Sequence, residues 1–193
     1  MISLKESLKI LKETDALVEG HFILSSGLHS SKYIQCAKLM SKPAKAQKLC
    51  LSLAEKIKNE FKDFDLILSP AMGGIVIGYE IGRLLEKETI FAERVNGKFS
   101  LRRDFKIQQD QKILIVEDVI TTGKSSLECS NLVKDFNGII VGYACIIDRS
   151  DGKSSIKRKI VSQLELNIPT YSKDNLPDDL SSIEAIKPGS RNL

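Results

Sequence analysis

Residues 113–126, ILIVEDVITTGKSS, place two carboxylates directly after an apolar run that predicts a buried strand. Burial of Glu117 and Asp118 is costly unless each carboxylate has a partner. Carboxylates accept hydrogen bonds from the vicinal hydroxyls of a sugar, neutralise a developing cation or orient a hydrated Mg²⁺. An acid pair that only caps the following helix is the alternative, and the pair alone does not decide between these roles.

The loop behind the acids is suited to an anion and favours the ligand-binding role. Backbone N–H groups at a helix N-terminus point at an anion, and the helix dipole adds favourable charge. Gly123 permits close backbone approach, and the hydroxyls of Thr121, Thr122 and Ser125 can donate further hydrogen bonds. We therefore predict a phosphate monoester here, and with the two acids a ribose 5-phosphate.

The same loop resembles half of a nucleotide-binding P-loop. The triplet Gly123-Lys124-Ser125 fits the end of the pattern G-x-x-x-x-G-K-[ST]. The position of the first glycine is Asp118, whose carboxylate would face the phosphates of a nucleotide. We therefore reject a P-loop.

Length and composition limit the number of domains, the class of ligand and the location of the protein. The 193 residues suit one domain, 1–193, and the net charge of +4 suits small anionic substrates better than nucleic acid. No CxxC pair is present among the four cysteines, and the two histidines stand apart, so we expect reduced cytosolic thiols and no zinc site. The charged, amphipathic N-terminus and the short apolar runs predict a cytoplasmic protein without a signal peptide or membrane span.

Hydrophobic periodicity predicts alternating strands and helices. The predicted strands are 65–69, 89–94, 112–118, 139–148 and an edge strand in 159–168. The predicted helices are 3–18, 41–61, 75–87 and 124–136. Residues 19–33 are expected to form an irregular loop or a short hairpin, and residues 95–105 a mobile hairpin or lid.

This alternation is typical of βαβ units and predicts an α/β fold with a central parallel sheet. Ligands of such sheets bind beyond the carboxyl ends of the strands. The loops that begin at Pro70, Glu117 and Asp148 all follow predicted strands. We therefore expect three loops from different parts of the chain to meet in one crevice.

The stretch ILIVEDVITTGKS resembles the 5-phosphoribosyl 1-diphosphate (PRPP) signature of type I phosphoribosyltransferases. Three further stretches resemble orotate phosphoribosyltransferases: HFILSSGLHSSKYIQC their N-terminal substrate loop, FAERVNGKFSLRRDF their flexible catalytic loop, and CIIDRS the strand end that carries an orotate-contacting arginine. The resemblance covers residues 20–150 and the closing KPGSR. It implies the type I fold, a mostly parallel central sheet flanked by helices, with an N-terminal hood in about residues 1–40 and a flexible lid in about residues 94–105.

The resemblance also implies which residues form the site. The PRPP-binding stretch consists of Glu117, Asp118, Val119, Ile120, Thr121, Thr122, Gly123, Lys124 and Ser125. The diphosphate-binding loop consists of Ala71, Met72, Gly73 and Gly74. The residues implied to bind orotate are Thr121, Arg149, Ser26, Gly27 and Tyr33. A guanidinium can grip the carboxylate of orotate with two hydrogen bonds, although Arg149 can also be a solvated turn residue and Tyr33 a core residue.

The predicted lid and two positions in the substrate loops match the pattern of the family less closely. Many relatives carry a lysine in the diphosphate-binding loop and another in the N-terminal loop, where this sequence has Gly73 and Ser25. The lid holds four cations that can reach the diphosphate, of which the first two are the stronger catalytic candidates: Arg94, Lys98, Arg102 and Arg103. In the family the lid closes over the neighbouring subunit, so a homodimer is implied.

The implied reaction joins PRPP and orotate into orotidine 5′-monophosphate and diphosphate, with Mg²⁺, in the de novo synthesis of pyrimidines. Asp118 and Glu117 would stabilise an oxocarbenium-like sugar, and Mg²⁺ would have no direct protein ligand beyond a contact through water at Asp118. Two alternatives stay open: transfer to a purine base, and a non-catalytic regulator of the same fold that binds a nucleotide.

Overall fold

The computed structural model describes residues 1–24 and 26–188. The strands are β1 Leu17–Ile23, β2 His29–Ile34, β3 Leu66–Pro70, β4 Glu88–Val95, β5 Lys98–Leu101, β6 Lys112–Ile120, β7 Ile139–Asp148, β8 Ile160–Glu165 and β9 Thr170–Tyr171. The helices are α1 Leu4–Glu13, α2 Cys36–Met40, α3 Pro43–Glu60, α4 Gly73–Leu85, α5 Lys124–Asp135 and α6 Asp178–Ser181. No helix within the described ranges has the length and apolar character needed to cross a bilayer.

The larger sheet has six strands in the order β5-β4-β3-β6-β7-β8. All neighbouring pairs are parallel except β4–β5, which is antiparallel. This confirms the predicted α/β architecture, and β8 lies at the edge as expected. The central strands read as nearly continuous apolar runs because both faces of the sheet are covered.

Side chains at alternate positions along a strand belong to two separate hydrophobic cores, one on each face of the sheet. On β3, Ile67 points into the core shared with α1, α3 and α4, whereas Leu66 and Leu68 belong to the core on the side of α5. The same alternation separates Leu114 from Ile113 on β6. The period of two in a strand therefore places helices on both faces.

The N-terminal helix is shorter than predicted. It begins after the cap Ser3, whose hydroxyl accepts from the Glu6 N–H, and ends at Glu13. Asp15 takes a left-handed backbone conformation, and the chain then enters β1. The prediction of helix to residue 18 was wrong because Leu17, read as helical, is buried as the first residue of a strand.

Residues 17–34 form a hairpin, which is one of the two structures, irregular loop or hairpin, that the sequence left open for this region. β1 pairs with β2 and β2 with β9, giving a three-stranded antiparallel sheet that we call the hood. The short helix α2 follows and was not predicted. A bridge between Phe22 and Ile186 attaches the C-terminal segment to the outer edge of the hood.

Two other boundaries bear on the site. β6 continues beyond Asp118 to Ile120, because Val119 and Ile120 still pair with Ile147 and Asp148 of β7. β4 and β5 form a hairpin in which Asn96 and Gly97 both have positive φ, as a two-residue hairpin turn requires. The predicted lid is therefore built on an ordered hairpin.

Candidate active site

Three loops meet at the carboxyl edge of the large sheet, as predicted. β3, β6 and β7 run parallel and end there at Pro70, Ile120 and Asp148. The loops also bond to one another: the Arg149 N–H donates to the Ile120 carbonyl at 2.8 Å, and the Ser155 N–H donates to the Thr122 carbonyl at 3.1 Å.

Asp118 lies against the loop after β3. Its Oδ1 accepts the Val119 N–H at 2.9 Å, and a Cβ atom placed on Gly73 would lie 2.6 Å from its Oδ2. Burial raises the pKa of this carboxyl above its ordinary value, while backbone hydrogen bonds oppose the rise. Gly73 therefore fits because any side chain there would displace the carboxylate, which gives a physical reason for the absence of a lysine.

Glu117 is buried more deeply, with 9% of its surface exposed. The Ser126 hydroxyl donates a short hydrogen bond to Glu117 Oε2. Burial raises the pKa of Glu117 to about 7, with the neighbouring Asp118 charge adding to the rise, while Ser126 and Arg94 oppose it. This carboxyl therefore changes its protonation state near neutral pH. Ser126 was not predicted, although it ends the motif stretch.

The loop of residues 121–125, predicted to bind a phosphate and called the phosphate loop below, leads into the N-terminus of α5. Gly123 has φ of +79° and lies beneath Ile156, where an added Cβ would approach a side-chain carbon to 2.8 Å. α5 begins immediately afterwards, and no side chain caps its N-terminus. Thr121 and Thr122 are exposed, so their hydroxyls face solvent. Helix N–H groups and hydroxyls are thus available together to a phosphate.

The other members of the predicted PRPP stretch offer less to a ligand. The Ile120 side chain is buried and that of Val119 is partly buried, since both still belong to β6. Lys124 is exposed at the first position of α5, and its N–H makes a long 3.4 Å contact with the Thr122 hydroxyl.

Arg149 follows β7 and is only partly exposed. Its Nε is buried and has no hydrogen-bond partner among the described residues. The adjacent Asp148 carboxylate accepts the Ser150 N–H at 2.7 Å. Burial lowers the pKa of the guanidinium. A buried donor of this kind needs a partner, and an anionic ligand would supply it.

The hood carries the remaining residues predicted to bind the base. The Gly27 N–H donates to the Leu24 carbonyl at 2.9 Å, so this amide is already used within the turn. The Tyr33 hydroxyl donates to Gln35 at 2.8 Å, and its ring lies 5.7 Å from that of Phe22. Ser26 is exposed at the tip of the turn. Ser25 lies outside the described residues, as does most of the closing KPGSR stretch.

Residues 71–74, predicted to bind the diphosphate, connect β3 to α4 and include the first two residues of that helix. The Ala71 N–H donates to the Ala92 carbonyl at 2.8 Å, and the peptide bond between Ala71 and Met72 is cis. Gly74 packs beside Pro70, where an added Cβ would lie 3.1 Å from the ring. Met72 is 81% exposed, and Gly73 and Gly74 contribute no side chains to this segment.

The four lid cations fall into two groups. Arg94 contacts Glu128 on α5 at 2.5 Å and lies over the Phe99 ring. Arg103 bonds to Glu93 through two nitrogens, at 3.1 and 3.0 Å. The side chains of Lys98 and Arg102 are exposed and make no hydrogen bond or ion pair within the described part of the chain. Spacing alone could not separate these groups, and the contact with Glu128 was not predicted.

The described residues contain no group of three or more His, Cys, Asp or Glu side chains placed to hold a metal ion. Among the described residues, Glu117 and Asp118 are the two carboxylates near the end of the central strand β6. A donor set of this size suits a cation that arrives with phosphate oxygens and water as its other ligands.

Comparison with known proteins identifies similar chains. Residues 40–175 match the sequence family described as the phosphoribosyl transferase domain. The chain is 46% identical over 186 residues to the orotate phosphoribosyltransferase of Caldicellulosiruptor saccharolyticus, covering 96% of both chains. It is 43% identical over 188 residues to that of Erythrobacter litoralis, covering 97% of both. The crystal structure of orotate phosphoribosyltransferase from Aeropyrum pernix superposes with a TM-score of 0.72 at 22% identity, covering 82% of this chain and 92% of that one.

Proposed function

The chain belongs to the phosphoribosyltransferase family, and we propose that it acts as an orotate phosphoribosyltransferase. It transfers the 5-phosphoribosyl group of PRPP to orotate, giving orotidine 5′-monophosphate and diphosphate in pyrimidine synthesis. The observation that carries the choice of acceptor is Arg149, a partly exposed arginine after β7 whose buried Nε has no partner among the described residues. Orotate is a planar anion whose carboxylate matches that fork.

The sugar-phosphate half of PRPP fits the end of β6. The phosphate loop supplies helix N–H groups and the hydroxyls of Thr121 and Thr122 to the 5-phosphate. Asp118 and Glu117 lie a few residues upstream, where their oxygens can accept from the ribose hydroxyls. Because Glu117 has a pKa of about 7, its ionised form competes with a protonated form that binds these hydroxyls differently.

The diphosphate leaving group fits the loop of residues 71–74. Gly73 lies against Asp118, so the leaving group and the reacting carbon are held side by side. Mg²⁺ bound with the diphosphate would neutralise its charge as it leaves, and Asp118 is the residue that would orient it through water. The side chains of Lys98 and Arg102 are exposed and have no ion-pair partner among the described residues, so they can add positive charge when the lid closes.

The bond between the sugar and diphosphate breaks ahead of attack and leaves positive charge on the ring. Asp118 and Glu117 face that charge from a buried position, where their effect is strongest. A ring nitrogen of the orotate anion then forms the new bond, so no strong general base is required. Closure of the lid excludes water, which would otherwise hydrolyse the activated sugar.

Assembly and location complete the proposal. A homodimer accounts for the two uncommitted lid cations, which would act on the neighbouring site. All four cysteines are free and buried, which suits a reducing cytoplasm.

Turnover with separate acceptors tests this function. Protein, PRPP and Mg²⁺ are mixed with orotate, adenine, hypoxanthine or uracil, and diphosphate release is followed. We expect release with orotate only. Release with a purine and not with orotate would favour a purine phosphoribosyltransferase, and no release with any base would favour a nucleotide-binding regulator.

A further inference from the structure

Two histidines flank the turn of the hood, and the reaction described above uses neither. His21 lies on β1 and His29 begins β2, and they are the two histidines of the chain. Their side chains are 4% and 6% exposed. Buried imidazoles need hydrogen-bond partners, and these two provide partners for each other.

The pair forms a directed chain of hydrogen bonds. His21 Nδ1 lies 2.8 Å from the Ile183 carbonyl, and His21 Nε2 lies 2.6 Å from His29 Nδ1. A carbonyl oxygen only accepts, so His21 must carry its proton on Nδ1. In a neutral ring Nε2 is then an acceptor, and His29 Nδ1 donates to it. The chain of donors therefore runs from His29 through His21 to Ile183.

The acceptor belongs to a C-terminal segment, residues 183–186, that we call the strap. The Ile186 N–H donates to the His21 carbonyl, and the Ile23 N–H donates to the Ile186 carbonyl, both at 2.8 Å. The side chains of Ile183 and Ile186 are 48% and 59% exposed. These two side chains therefore bury only part of their apolar area, and the strap is joined to the hood by hydrogen bonds, including the one from His21.

The position of the turn between the two histidines depends on the strand residues on either side of it. Within it, the Leu24 N–H donates to the Leu28 carbonyl at 2.8 Å and the Gly27 N–H to the Leu24 carbonyl at 2.9 Å. Ser26, Gly27 and Leu28 are exposed and do not anchor the turn in a core. Its position is therefore set by the paired residues Ile23 and His29 at its base.

We propose that His21 and His29 are positioning residues that brace this turn against the strap and thereby set the affinity for the base. This inference rests on the proposed function and on the prediction from the sequence that the turn with Ser26 and Gly27 lies beside orotate. The residues for PRPP lie on the large sheet, outside the hood. Loss of the brace therefore weakens orotate binding and leaves PRPP binding almost unchanged.

The test compares two variants of His29 in the full-length protein. His29→Leu keeps the apolar bulk and removes the donor. His29→Asn places an amide N–H close to the position of Nδ1 and restores the donor. We expect His29→Leu to raise the KM for orotate about tenfold, the effect of one lost hydrogen bond. The KM for PRPP should stay within about twofold, and His29→Asn should recover most of the orotate affinity.

Hydrogen exchange provides a readout that needs no turnover. The amides of Leu24 and Gly27 should exchange faster in His29→Leu than in the wild type or His29→Asn, whereas amides of β6 should not change. Unchanged exchange in the turn, equal rises in both KM values, or no recovery in His29→Asn would overturn the brace. Absence of orotate turnover in the wild type would instead count against the proposed function, and the exchange comparison would still decide the brace.

Discussion

The two halves of the site are built differently. The half proposed for the sugar phosphate lies at the end of the large sheet, where Glu117 and Gly123 are buried, Asp118 is partly buried, and each has close contacts. The half for the base combines Arg149, whose Nε has no partner, with an exposed turn on the hood. The first half is preorganised by the fold, whereas the second is completed by its ligand. Donor binding and acceptor choice should therefore respond differently to substitution.

Asp118→Asn should give the largest effect, because it removes charge from the preorganised half. We expect kcat to fall by about 100-fold or more, the usual scale for a buried electrostatic group that acts on a transition state. Stability should be unchanged or higher, since burial raises the pKa of this carboxyl and its charged form is costly to the fold. Steady-state kinetics and a thermal melt measure both, and an unchanged kcat with a shifted Tm would make Asp118 structural.

Arg149→Ala probes the half completed by its ligand. Loss of a charged, two-point contact should raise the KM for orotate by about 30-fold, with the KM for PRPP nearly unchanged. Arg149→Lys is the matched control, because it retains the charge without the planar fork, and it should recover only part of the affinity. If both substrates bound equally poorly to Arg149→Ala, the two halves would not be separable.

Gly73→Ala tests whether the acid pair and the diphosphate-binding loop are in contact. The added Cβ would meet Asp118 Oδ2 at 2.6 Å, and moving that carboxylate should lower kcat about tenfold. The control is the same change in Asp118→Asn protein, where little further loss is expected because the affected charge is already absent. Full additivity of the two losses would contradict the contact.

The prediction for the pH dependence of Glu117 concerns stability and not turnover, so it has the least effect on the comparison of the two halves. Its folded pKa of about 7 lies above the ordinary 4.5, so the stability it contributes is present below pH 4.5 and is lost as the pH rises through about 7. Glu117→Gln should therefore be more stable than the wild type at pH 8, by up to about 3 kcal/mol, and similar to it at pH 4.5. Denaturant unfolding at the two pH values measures this, and an equal difference at both would show that Glu117 titrates normally.

Most of the fold was predictable because its signals are local. Apolar runs and helical periodicity predicted the alternation of strands and helices, and Asn137-Gly138 marked the end of α5 correctly. The predicted end of α1 was wrong because the helix ends at Glu13 and the chain enters β1 at Leu17. The extension of β6 to Ile120 depends on pairing with β7, a contact between residues far apart in sequence.

The sequence by itself determined the acid pair and the phosphate loop, because these residues are consecutive and a strand followed by a helix places them together. Only the tertiary structure decided which of the other residues already contact a partner within the chain. Three of these contacts cross a sheet edge or a helix turn: Gly73 with Asp118, Glu128 with Arg94, and Ser126 with Glu117. The unpartnered Nε of Arg149 and the paired histidines of the hood likewise depend on burial, which arises only when distant segments pack.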